Sequence, residues 1–342
     1  MELDAPIRPG SSLKIVSVHA SLGYDKTNGF IVTETCAVKE TELQFVIEQR
    51  QTRTVVNSAS VPSQFCGGTD AFCNSITDMP HNLVAAMHPA RLSSYESEWR
   101  KGLGGNSALV TNSAVASLYV WQVALGSAWY ETLSYVEAVI RNSVDIALRD
   151  WNKSRGKSED WLNDAAIPLA TLVEKATRDS KKRAEVAAKR RNPSHRRHKA
   201  PVIFDDMVSQ LDFGSIVHLF PQTPPKKNGQ RKTGFSGREN LWIHGLSKGF
   251  PNLGPDTLSA WEDQFPPDLP IEVQGGYAIG HALERLRRLR NRISHHEQTF
   301  EVEHLRRLED ARLLLDAISP DIAKDLEKLD RVRRALVMRP SA

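Results

Sequence analysis

Residues 279–297 read IGHALERLRRLRNRISHHE. At about 100° per residue, Ile279, Leu283, Leu286, Leu289 and Ile293 gather on one side, the mark of a helix packing one face against others. Arg285, Arg287, Arg288 and Arg292 point away from that face, where a solvated basic surface and a phosphate-binding one are both open readings. Arg290 falls at the edge of the stripe, where an unpaired guanidinium is costly and calls for a carboxylate or phosphate partner. Asn291 and His295 are four apart and share one side of a helix, so the amide can orient the imidazole. His296 diverges by about 100° from its neighbour, so only one of the two histidines points squarely into a site.

Earlier in the chain, Leu125, Trp129, Leu133, Val136, Ile140, Val144 and Leu148 recur at spacings of three and four and predict a long core helix. Further helices are expected from about Ile167 into the basic run 181–191, over Asp205–Phe220 with a break near Gly214, and from Leu241 to Gly249. Two more are expected over Val302–Ile318 and Pro320–Met338. The fold expected is all-α. Residues 1–85 form a poorly defined or disordered N-terminal extension, 86–300 the helical domain, and 301–342 C-terminal helices packing on or extending the bundle. Short strands such as Leu43–Ile47 fit the extension.

Composition narrows the function classes. The net charge is +4, but the first eighty or so residues are slightly acidic, so the basic clusters of the remainder suit an anionic partner. Cys36, Cys66 and Cys73 are too few and too irregular for a disulfide framework or structural zinc. Neither His195 and His198 nor the adjacent His295 and His296 carry the companion ligands of a metal site, and Gly102–Gly105 lacks the lysine of a phosphate loop. No metal and no cofactor are expected. No secretory signal pattern and no membrane span are read, which points to the cytoplasm. Trp121, Trp129 and Trp242 fit core positions better than base-stacking ones.

Arg290-Asn291 followed by His295 resembles the Arg-polar-x3-His motif of the HEPN ribonuclease superfamily, and the string from Leu289 to Glu297 resembles its Abi-like (abortive-infection) branch. Leu118–Trp121, Glu137–Asn142, Asp212–Ser215, Leu241-Trp242 and Phe250–Asn252 are similar to the other landmarks, in order. The resemblance implies a HEPN-like helical bundle that dimerises and cuts single-stranded RNA without a metal. In it Arg290 holds phosphate, His295 supplies acid and base with His296 as the second-rank candidate for that role, and Asn291 orients the histidine or the phosphate. Glu137, Arg141, Asn142 and Glu297 support the site, and Arg287, Arg288 and Arg292 bind RNA. Glu137 either pairs with Arg290 across the bundle or with Arg141 four residues on. A toxin role with a neutralising antitoxin follows by analogy. A catalytically silent RNA-binding or protein-interaction module is the alternative.

Overall fold

The structure is a computed structural model; it describes residues 23–25, 29–31, 81–103, 110–227, 230–231, 234–261 and 268–341. Chain contacts divide it into two units, 1–71 and 72–342. In the first, β1 (Gly23–Asp25) and β2 (Gly29–Ile31) form an antiparallel hairpin with Tyr24 opposite Phe30. The Leu43–Ile47 run and the three cysteines lie outside the described residues.

The second unit is all-α. It begins before residue 86, where the helical domain was expected to start: α1 (His81–Ala85) packs on the long helix and leaves Val84 only 3% exposed. In α2 (Pro89–Gly102), Pro89 occupies the first turn, and His88 Nδ1 accepts the amide hydrogen of Ala90. The core helix is α3 (Asn112–Ser154), 43 residues capped by Thr111 and about 65 Å long. All seven residues of its apolar stripe are buried, as are Trp121, Trp129 and Trp242. Among the described residues, no helix is long and apolar enough to cross a membrane.

After α3 come α4 (Leu169–Lys189), α5 (Phe204–Ser209) and α6 (Phe213–Val217). The single broken helix expected over 205–220 is thus two short ones, because Asp212 starts α6 afresh by accepting the amide hydrogen of Ser215. A small hairpin, β3 (Lys226–Lys227) with β4 (Gln230–Arg231), precedes α7 (Gly237–His244), a 3₁₀ turn (Leu246–Gly249) and α8 (Pro255–Ser259). Ser236 and Glu239 cap α7 reciprocally, and the fully buried Glu239 also accepts the Tyr277 hydroxyl at 3.0 Å.

Tyr277 belongs to α9 (Ile271–Ser294), the helix that carries the arginine cluster. A Cβ on Gly276 would stand 2.7 Å from Trp242 Cγ, so glycine is what lets α9 lie flat on the indole of α7. Ile279, Leu283, Leu286 and Leu289 are buried against α3, α6 and α10 (His304–Ile318). The last predicted helix divides into α11 (Pro320–Leu329) and α12 (Val332–Val337), since Asp330 turns extended and accepts the amide hydrogens of Val332 and Arg333. These C-terminal helices pack on α3.

Candidate active site at the end of α9

The five arginines of α9 have different fates. Arg285 is no solvated cation: its Nε and Nη2 grip Asp310 of α10 at 2.9 and 2.6 Å, and Asp310 also takes Arg307 at 2.8 Å and the Trp261 indole at 3.1 Å. Arg287 and Arg288, expected on the RNA, both hold Glu284, at 2.7, 2.8 and 2.8 Å. The Arg287 and Arg288 guanidiniums beside it pull the Glu284 carboxyl down to about 2. Half of their charge is therefore cancelled locally. Arg292, also expected on the RNA, donates to the carbonyl of Gln298 and sits 3.8 Å from Glu297, which ties it to the following loop. Among the described residues, Arg290 alone of the five makes no hydrogen bond or ion pair, although it is half-buried.

Arg290 and Glu137 do not pair across the bundle. Glu137 takes the local partner instead, accepting from Arg141 Nη2 at 2.6 Å with side chains 17% and 20% exposed. Burial raises the Glu137 carboxyl, opposed by the positive charges of Arg141 and Arg290, so Arg290 is close enough to be felt but not bonded. The geometry favours the short link because residues four apart on a helix are already neighbours. Arg141 Nε is buried without a partner. Asn142 is exposed on α3, one residue before Ser143, whose hydroxyl donates to the carbonyl of Gly249.

The helix ends at Ser294, so the two histidines lie in its cap and not on its side. Glu297 N–H reaches back to the carbonyl of Arg292 at 2.8 Å and His296 N–H to that of Ile293 at 3.0 Å, the pair of bonds that closes a Schellman cap. The position that usually takes glycine is His296, at φ +53°. The side-chain link expected between Asn291 and His295 is replaced by a backbone one, His295 N–H to the Asn291 carbonyl at 3.0 Å. His295, His296 and Glu297 are all exposed.

What immobilises this cap is a set of residues that no sequence motif marks. Arg91 of α2 donates to the carbonyl of His296 at 3.2 Å, and the Gln298 amide donates to Ser94. Gln122 of α3 donates to the Thr299 hydroxyl at 2.8 Å and accepts from its N–H at 3.4 Å. Phe300 packs edge-on to Tyr95 and parallel to Trp121. His304 accepts from the Trp129 indole at 2.9 Å and donates to the Thr299 carbonyl at 3.0 Å, which defines its Nε2–H tautomer. Burial lowers the His304 imidazole to about 4.

The site thus presents two exposed imidazoles on a pinned cap, with one uncommitted guanidinium five residues back, about 7.5 Å along the axis. That set can bind an oxyanion and exchange protons beside it. Comparison with family profiles, curated proteins and solved structures finds no match to this chain, so the reading of the site rests on its own residues.

Proposed function

We propose that this chain is a metal-independent endoribonuclease of the HEPN, Abi-like type, cutting single-stranded RNA as a homodimer. The observation that carries the reading is Arg290, the one arginine of α9 left without a bonding partner among the described residues, standing just before the exposed His295-His296 cap. In the reaction, the ribose 2′-hydroxyl attacks the adjacent phosphorus while one imidazole removes its proton. The bond to the 5′ oxygen breaks, a second acid protonates that oxygen, and a cyclic phosphate and a free 5′-hydroxyl remain. Arg290 neutralises the charge that builds on the phosphate, because its planar fork stays charged and takes two oxygens. A homodimer supplies two such sets to one cleft. The toxin or abortive-infection role, and a neutralising antitoxin, follow from the resemblance alone.

The exposure of both imidazoles favours a second reading, a silent RNA-binding or protein-interaction module of the same fold. Incubating the purified protein with total RNA in a chelator separates the two. Cleavage leaving cyclic phosphate ends, with His295→Ala and Arg290→Ala each slower by about 10²- to 10⁴-fold, supports the enzyme. Normal cleavage by His295→Ala, His296→Ala and Arg290→Ala alike would remove the site from this cap, and binding without cleavage would favour the silent module.

A further inference from the structure

Between residues 175 and 199 eleven Lys and Arg meet two acids, a local net of +9 in a chain whose total is +4. Three of these cations are used internally. Arg183 pairs with Asp212 at 3.1 Å, and Arg191 and Arg197 share Asp206 at 2.8 and 2.5 Å. Asp206 also accepts the Ile203 amide hydrogen, and Arg191 and Arg197 donate to the carbonyls of Arg197, Ala200 and Pro201. The segment after α4 is therefore a folded turn with its own polar core, not a frayed helix end, and Arg196 and Lys199 stand exposed on it.

On α4 itself Lys175, Arg178, Lys182 and Lys189 fall within about 60° of one another on the helical wheel, and all four are exposed. Diametrically opposite lie the buried Leu169, Val173, Ser180 and Ala184. The one ion pair on the stripe among the described residues, Arg178 to Asp179, is 3.8 Å long. The stripe runs about 21 Å along the axis.

We infer that this stripe, continued by Arg196 and Lys199, is a docking track for the phosphate backbone of a nucleic acid. A line of exposed cations with the apolar face turned inward suits an extended polyanion. A membrane-surface helix would instead leave its apolar face outward. Arg183, on the flank of α4, holds Asp212, which is felt electrostatically by both Arg287 of α9 and Glu137 of α3. The inference rests on the ribonuclease reading only in taking the polyanion to be RNA.

The test titrates a labelled 30-nucleotide single-stranded RNA with the full chain and with the combined variant K175A/K182A/K189A/K199A at several salt concentrations. Each lysine–phosphate pairing removed should flatten the slope of log affinity against log salt by about 0.7, so roughly 2–3 for the four. Circular dichroism should be unchanged, and restoring the charges as K175R/K182R/K189R/K199R should restore the slope. An unchanged slope, no RNA binding by the full chain, or tighter binding to phosphatidylserine vesicles than to RNA would each overturn the track. If the full chain binds with this slope but never cuts, the ribonuclease reading fails and the track stands; if it cuts and the slope does not change, the reverse holds.

Discussion

Asp310→Ala tests how α9 is held in place. The carboxylate is 1% exposed and accepts four hydrogen bonds, two from Arg285, one from Arg307 and one from the Trp261 indole, while Arg285 and Arg307 are only 21% and 13% exposed. Removing it leaves Arg285 without a counter-charge, Arg307 with only the exposed Glu303 at 3.9 Å, and an indole N–H without an acceptor. Breaking a buried ion pair from one side costs about 3–5 kcal/mol, against a total stability of about 5–15 kcal/mol for a protein. Equilibrium urea unfolding followed by tryptophan fluorescence should show a midpoint lowered in proportion, with the slope unchanged. Because Arg285 lies five residues before Arg290, the variant should also lose cleavage while still binding RNA. Replacing the cluster with apolar residues of similar volume at 285, 307 and 310 together should recover most of the stability. A loss below about 1 kcal/mol for Asp310→Ala would refute this account and leave general packing, not the ion-pair network, as what fixes α9 against α10.

His296→Gly should raise the melting temperature, by about 1 kcal/mol of stability, because an L-residue at φ +53° is strained and glycine is not. If His296 takes part in proton transfer, cleavage falls as stability rises; a lower melting temperature would contradict the cap. The imidazole of His304 is held at about 4 in the folded chain against its ordinary 6.5, so the unfolded chain binds the proton first. That contribution is intact above pH 6.5 and is lost as pH falls from 6.5 towards 4, by about 3 kcal/mol; His304→Gln should flatten this part of a stability–pH curve, and an unaltered curve would count against it. Deleting residues 81–86 should cost about 1.5–3 kcal/mol through the exposed cavity left by Val84, whereas a truncated chain starting at Met87 that melts at the original temperature would make α1 dispensable.

Period alone reveals which side of a helix is buried, because water exclusion acts on the whole stripe at once. For that reason the core of α3, the apolar face of α9 and the all-α class were legible from spacing, and so was the Glu137–Arg141 link, which needs only four residues of helix. Helix ends were less legible: Asp212 starts a new helix two residues before the break expected near Gly214, and Asp330 caps where the pattern reads as continuous helix, since an aspartate's choice between side-chain capping and helix depends on a local competition. The long-range destinations of the arginines were not legible at all, although Arg287 and Arg288 take Glu284 three and four residues away on their own helix. Arg285 finds Asp310 across 25 residues, the His296 cap is held from Arg91 across 205, and Thr299 meets Gln122 across 177. A guanidinium at the edge of a stripe must find an anion, but which anion is a property of how helices far apart in the chain are brought together. Residue order determined that α9 would be buried on one face and basic on the other, with Glu284 within reach of Arg287 and Arg288 on the same helix; only the packing of α10 against it decided that Arg285 would be bound across 25 residues while Arg290 stayed without a bonding partner among the described residues.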